Sequence, residues 1–318
     1  MHQKRTKLVV RATRLTQRIG RGSGLVRKAK DLEYRGVITT YKLHDRALSN
    51  RRSRRRFEQR PPTLDDVQQR VLAELDRQDY AVVPFTELVP GALEAVESEG
   101  ADFIATAERA ESRDAAKDYL IRRYAAGTEL STSAPWLASC VSDRLLGLAN
   151  AYLRMWTKLE YVDFWYSVPV PADSDRVMSQ RWHRDFDDRH LLKAFLYLVD
   201  VDAETGPFEF VAGSARGGRL ADFSPWHPLS KTYPSQAEFD RAVPDSAIRT
   251  FTAPAGTLVL CNTSGFHRGG FATARPRVLA TATYCSPASL KSLTERNYRL
   301  PGGAAARSLP APQRYAVT

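Results

Sequence analysis

The hydrophobic positions change their period once along the chain. Up to Trp156 they recur every three or four residues, and beyond it they alternate or run together over short stretches. In the first part, Thr63 followed three residues later by Asp66 predicts a helix start, with Thr63 accepting from free backbone N–H groups and Val67, Val71 and Leu75 on one face. The segment YAVVPF, residues 80–85, predicts a first strand. Helical spacing returns from Gly91 to Arg122 and again from Ala134 to Trp156, where Leu137, Val141, Leu145, Leu148 and Tyr152 share a face. After Trp156 come YVDFWYSVPV, HLLKAFLYLVDV, PFEFVAG, IRTFTAPAGTLVLCN and RVLATATYCS. They are rich in β-branched and aromatic residues and are separated by turn signals such as DAETG and APAG. Helices first and strands afterwards predict a mainly β domain with flanking helices, of α+β type, in which an antiparallel sandwich or barrel carries helices on its outside. No βαβ series occurs, which sets a Rossmann fold aside.

Charge divides the chain at a different place. Residues 1–60 hold 19 Lys/Arg against 4 Asp/Glu and the rest hold 28 against 32, so the formal net charge of +11 resides in the N-terminal segment. The chain accordingly reads as a basic arm over 1–60, partly helical or flexible, then a folded domain over 61–300 and a tail over 301–318. Within the domain, 61–156 is helical and 157–290 strand-rich. In the arm Leu8, Ala12, Leu15 and Ile19 recur at helical spacing beside Arg11, Arg14, Arg18 and Arg21, the pattern of an interfacial helix. A solvated extension is the plainer alternative. Such an arm can meet an anionic membrane surface or a phosphate-bearing substrate, and its removal is expected to leave the core folded. The run RRSRRRFEQR lacks aromatic interleaving, so nucleic acid is not an expected partner. No apolar run approaches the roughly 18–20 residues of a membrane span, and the opening residues lack the apolar stretch of a secretory signal. Cys140, Cys261 and Cys285 are odd in number and form no CxxC, which fits buried apolar roles in a reducing, cytoplasmic setting.

The chemistry gathers in the strand-rich half. His183 and Asp185 stand two apart in RWHRDFDD, and in extended backbone such residues project to one side. With His267 from the distant SGFHRGG they form two imidazoles and one carboxylate, the facial set of non-haem Fe(II) oxygenases. Arg277 opens the last strand, where a guanidinium can grip the far carboxylate of 2-oxoglutarate in a fork. Arg275, two residues earlier, would share its face in a strand and stays open as the alternative anchor. Asp187 and Asp188 read as a solvated turn, and His2, His44 and His190 as surface groups.

The segments WHRDFDD, KAFLYLVDVDAETGPFEFVAGSARGG and FHRGGFATARPRVLATATY resemble, in that order, the motifs of the phytanoyl-CoA dioxygenase family of Fe(II)/2-oxoglutarate oxygenases. DRQDYAVVPFTELVP resembles the first strand of that family, so the likeness spans roughly Leu75 to Pro287. One departure is Ala215, which follows Gly213 and Ser214 where the family usually has histidine. The resemblance implies a double-stranded β-helix, a jelly-roll or cupin-like barrel, with Fe(II) held by His183, Asp185 and His267 and with 2-oxoglutarate and O2 as cosubstrates. It implies Arg277 for the cosubstrate carboxylate, Phe195 beside 2-oxoglutarate and Gln180 as a polar neighbour. The implied reaction is hydroxylation of an unactivated C–H bond in a small molecule, such as a natural-product, acyl or glycan intermediate. A membrane-surface oxygenase of a lipid or glycan, or a non-catalytic jelly-roll binding protein, are the other readings. The loop from Leu220 to Pro244, with Trp226 and His227, matches no motif and is expected to shape the substrate pocket.

Overall fold

A computed structural model describes residues 24–109, 119–215, 217–224, 233–289, 296–301 and 306–318, with side chains from residue 35 onward. The interfacial helix expected over 7–19 lies outside the described residues, as do Trp226 and His227.

Among the described residues, eleven strands build two antiparallel sheets and one short parallel pairing, the eleventh being Tyr298–Arg299. In chain order the first five are β1 (Tyr80–Pro84), β2 (Leu120–Arg122), β3 (Thr128–Glu129), β4 (Lys158–Ser167) and β5 (Leu191–Tyr197). They are followed by β6 (Phe208–Val211), β7 (Ile248–Phe251), β8 (Thr257–Cys261), β9 (His267–Arg268) and β10 (Arg277–Cys285). The large sheet has the order β1-β8-β5-β10-β4-β2 and faces a small sheet of order β7-β6-β9, while β3 pairs with Tyr298–Arg299. The result is the jelly-roll sandwich expected from the sequence, with helices on its outside.

Both faces of the large sheet are covered, which explains why its strands read as nearly unbroken apolar runs. Every residue of β10 is buried. Phe195, Tyr197, Val259 and Leu279 point between the sheets and meet Phe208 and Phe210 of the small one. Leu196, Leu260, Val278 and Ala280 point the other way, onto helices carrying Leu75, Phe103 and Leu145. Two hydrogen bonds pin this helical layer: Trp136 Nε1 donates to Thr281 O at 2.9 Å and Tyr284 Oη to Cys140 O at 2.7 Å. All three cysteines are free and buried.

The helical layer is more broken than its periodicity predicts. The first core helix runs Asp66–Gln78 and is capped by Asp65 in a reciprocal box with Gln68, two residues after the expected Thr63. Among its described residues the segment read as helix from Gly91 to Arg122 is helical over Leu93–Ala107, and β2 pairs Leu120 with Ser167 of β4. The segment from Ala134 to Trp156 is two helices, Pro135–Val141 and Asp143–Leu153. Ser142 between them is extended, and its hydroxyl accepts from Leu145 N at 3.2 Å, so it caps the second helix instead of continuing the first.

From Val37 onward the basic segment packs against this body. Two helices, Gly24–Arg46 and Ser49–Gln59, lead into the domain. Tyr41 is buried and donates to Asp188 Oδ1 at 2.6 Å, and His190 Nε2 meets Asp45 Oδ1 at 3.0 Å. Asn50, fully buried, accepts from Ala288 N at 3.0 Å, and Ser53 donates to Trp156 O at 2.5 Å. The arginine run is thus the outer side of a docked helix whose other side carries Asn50 and Ser53. Asp188 is buried, in place of the solvated turn expected for it, and accepts from Ser286 N at 2.7 Å and Arg189 N at 2.7 Å as well as from Tyr41. Burial pushes its carboxyl above the usual range, and these donors act against that shift. His44 is likewise buried, 2.8 Å from Ser49 Oγ. No helix among the described residues is long and apolar enough to cross a membrane.

The packing argues against the expectation that removal of residues 1–60 leaves the core intact. Tyr41→Phe takes one donor from a buried carboxylate and is expected to lower the unfolding free energy by about 1–3 kcal/mol. In denaturant titration this reads as a lower midpoint at unchanged slope. Deletion of 1–60 also strips Asn50 from Ala288 N and should destabilise the protein more than Tyr41→Phe does. A deletion variant as stable as the full chain would show that these contacts carry no stability.

Candidate active site

Two strands that are distant in sequence meet back to back at the two histidines. His183 N donates to His267 O at 3.0 Å and His267 N to His183 O at 2.9 Å, an antiparallel bridge that sets both imidazoles on the inner side of the sandwich. Asp185, two residues on, returns to that side, and its backbone N–H is held by Thr263 O at 3.1 Å. His183 Nδ1 lies 2.8 Å from Arg181 O and His267 Nδ1 3.0 Å from Gly265 O. A carbonyl only accepts, so each ring carries its hydrogen on Nδ1 and offers the Nε2 lone pair to its neighbours. His183 Nε2 is 4.0 Å from Asp185 Oδ1, and His267 Nε2 is 3.6 Å from Asp185 Oδ2. All three ligand atoms fall within 4.8 Å of one another and all three residues are buried. Two imidazoles and a carboxylate at this spacing are a donor set for one divalent transition metal.

Arg277 closes the far end of the same cavity. It opens β10 opposite Ser167, and its guanidinium is buried, with Nη1 donating to Gly206 O at 2.5 Å and Nη2 3.4 Å from Ser167 Oγ. Its Nε has no partner. Burial lowers the guanidinium from its usual range, but arginine's range starts so high that the group stays a cation. A buried cation with an orphaned N–H is the kind of group an oxyanion completes. The Gly206 carbonyl reaches Arg277 because two glycines let their loops touch. Gly206 has φ +72°, and a Cβ on Gly270 would stand 1.8 Å from Gly206 O, closer than any side chain allows.

Arg275 is not part of this cavity. It precedes Pro276 outside the strand, so alternation along β10 does not govern it, and it forms an exposed ion pair with Asp202 and a second, at 3.7 Å, with Glu204 Oε2. Phe195 lines the cavity beside the triad, its ring 4.9 Å from that of Phe208. Gln180 is buried in the wall as well, but its Oε1 accepts from Val177 N at 3.1 Å and so closes its own turn.

Three further residues belong to the site. Lys193 lines the cavity and donates to Asp185 Oδ2 at 2.5 Å. Its trace in the sequence is a single charge in the apolar strand LLKAFLYL, on the face shared with Phe195 and Tyr197. Tyr119 lines the opposite wall and is 2.7 Å from Ser179 Oγ. Arg184, between the two HxD ligands, faces away from the cavity and fastens the loop beyond Gly213. It donates to Ser264 O at 2.9 Å, Ala221 O at 2.8 Å and Ser224 O at 3.0 Å, and burial lowers it to about 10.

No protein-family profile and no curated protein matches the chain. Solved structures do match its fold. The epimerase SnoN in complex with Fe3+, alpha ketoglutarate and nogalamycin RO is 20% identical over 69% of this chain and 84% of that one, with a TM-score of 0.51. EctD from S. alaskensis with 2-oxoglutarate and 5-hydroxyectoine is 17% identical over 72% of this chain and 80% of that one, with a TM-score of 0.48. HygX from Streptomyces hygroscopicus, with nickel, 2-oxoglutarate and hygromycin B bound, is 18% identical over 69% and 87%, with a TM-score of 0.45. The phytanoyl-CoA dioxygenase resemblance rests on the sequence motifs alone, and what the SnoN match shows is a shared jelly-roll fold.

Proposed function

We propose that this protein is an Fe(II)- and 2-oxoglutarate-dependent dioxygenase that hydroxylates an unactivated C–H bond of a small molecule, a natural-product, acyl or glycan intermediate. The observation that carries the reading is one cavity holding His183, Asp185 and His267 at metal-ligand spacing, with the unpartnered Nε of the buried Arg277 at its other end. A jelly roll that only binds would have no need of all four. The SnoN structure, with its iron, alpha ketoglutarate and nogalamycin RO, accords with a small-molecule substrate. Three buried, free cysteines accord with a reducing cytoplasm.

When bound, iron with 2-oxoglutarate and O2 supplies an oxidant able to break an unactivated C–H bond, with succinate and CO2 as coproducts. The residues of the chain prepare the place for it. In the neutral rings of His183 and His267, Arg181 O and Gly265 O fix the hydrogen on Nδ1, so Nε2 is the nitrogen turned to the metal. Lys193 holds one oxygen of Asp185, which leaves the other for the metal. Arg277, steadied by Gly206 O, offers Nε–H to the far carboxylate of 2-oxoglutarate. Phe195, Phe208 and Leu279 keep water from the wall between them.

Anaerobic addition of Fe(II) and 2-oxoglutarate to the purified protein should produce a weak visible charge-transfer band, absent from His183→Ala. No band in the wild type, or its persistence in the variant, would remove the metal site from this cavity.

Arg277→Ala should weaken 2-oxoglutarate more than tenfold, since each hydrogen bond to a charged group contributes about 1.5–3 kcal/mol and 1.4 kcal/mol is one decade. Arg277→Lys should rescue only in part, because it keeps the charge but not the planar fork. Arg275→Ala should leave the 2-oxoglutarate KM near wild type. A larger effect at Arg275 than at Arg277 would move the anchor and leave the triad standing.

A further inference from the structure

A second cavity, of about 160 Å³, lies on the other side of the two strands that carry the histidines. Trp182 and Arg268 flank His183 and His267, and alternation sends their side chains outward. There Arg268 lies over the Trp182 ring at 4.4 Å, and Trp182 stacks on Phe239 with ring centroids 4.6 Å apart. Arg176 and Arg181 line the same cavity. Arg176 lies 4.8 Å over Phe271 and Arg181 5.3 Å over Tyr233, so aromatic faces hold all three guanidinium planes.

The charges around this cavity are not balanced by the described residues. Glu209 Oε2 takes Arg268 Nε at 2.5 Å. Among the described residues neither Arg176 nor Arg181 forms an ion pair. Arg176 is lowered from its usual range by burial and then by the nearby Arg268, which Glu209 only partly offsets. Like charges gathered on one cavity, two of them without a counter-charge among the described residues, are stabilised by an anion between them. One residue lies near both an arginine of this cavity and the metal site. Tyr233, under Arg181, has its ring centroid 5.7 Å from that of His183.

We propose that Arg176, Arg181 and Arg268 form an anion subsite that holds a phosphate group of the substrate, so that the small molecule oxidised at the metal is a phosphorylated one. This rests on the oxygenase reading for the word substrate, but not for the anion site itself. Guanidinium forks match tetrahedral oxyanions in geometry. A substrate anchored there passes over Arg181 and Tyr233 to reach the triad. The 2-oxoglutarate carboxylate is served by Arg277 on the inner side, so the two anions do not compete.

The test titrates the full-length protein with inorganic phosphate, following heat release and thermal midpoint, against sodium chloride at equal ionic strength. Wild type should bind phosphate, with a midpoint rise that chloride does not reproduce, and saturating 2-oxoglutarate should leave the phosphate Kd unchanged. Arg176→Gln with Arg181→Gln should raise that Kd at least tenfold while the Fe(II)/2-oxoglutarate band persists. Both side chains reach the surface, so the double variant should keep a single cooperative unfolding transition, which reports intact folding. An unchanged Kd in the double variant, or a rise matched by chloride, overturns the anion subsite. Competition by 2-oxoglutarate overturns the assignment to substrate. Phosphate binding without any charge-transfer band sinks the oxygenase reading and leaves the anion site in place. As the last arm, succinate release is screened over phosphorylated compounds and their dephosphorylated counterparts. Stimulation only by the unphosphorylated members overturns the substrate class.

Discussion

The site depends on one backbone pairing. His183 and His267 exchange both of their main-chain hydrogen bonds, and this exchange sets the HxD segment directly against the last histidine. Register is unforgiving here. A slip of one residue would turn both imidazoles outward and carry Trp182 and Arg268 into the cavity. Asp185 N held by Thr263 O and the Nδ1 contacts of both histidines add local constraints that point the same way. One pairing therefore fixes the inner donor set and, through the alternate residues, the outer arginine cavity as well.

What keeps that pairing in place reaches far beyond the small sheet. The segment just after Asp185 is pinned at Asp188, a buried carboxylate that takes hydrogen bonds from Tyr41, from Ser286 after β10 and from its own turn. Arg184 ties the opposite side of the same segment to the carbonyls of Ser214, Ser264 and Ala221. The HxD segment is thus held between an N-terminal helix, the end of the last long strand and the loop beyond Gly213. Its three anchors come from parts of the chain with no chemistry of their own.

Much of this was legible in the sequence where a residue's role follows from local pattern. Alternation in the strands and the HxD spacing placed His183, Asp185 and His267 in one site, whereas Arg277 and Arg275 stayed alternatives until the fold put Arg275 outside the strand, paired with Asp202. Local pattern misleads where a long-range partner decides. Ser142 lies inside a helical period, and only its capping of Leu145 N shows that the helix ends there. The run RRSRRRFEQR looks like free charge because Asn50 and Ser53, its docking residues, are small and polar. Asp188 looks like a solvated turn because its partners, Tyr41 and Ser286, lie about a hundred residues or more away on either side. Lys193 was visible as an oddity in an apolar strand, but its meaning required Asp185 to be opposite.

The charge inventory of the inner cavity links these pieces to the proposed chemistry. Lys193 and Arg277 are two cationic side chains against one carboxylate, Asp185, all of them buried or nearly so. A divalent cation entering alone would add to an already positive, low-dielectric space, and the dianion 2-oxoglutarate entering alone would over-compensate it. Entering together they leave the net charge of the cavity unchanged. Lys193 also explains why this does not reduce to repulsion of the metal, since its ammonium is neutralised at Asp185 Oδ2 and so orients a ligand while it adds charge. The uncompensated group is then Arg277, whose orphaned Nε lies at the end of the cavity away from the triad. Physical separation of the paired cation at the metal from the unpaired one at the far end gives the cavity a direction, and a molecule with a carboxylate at each end fits that direction one way round as well as the other only if Arg277 is lost.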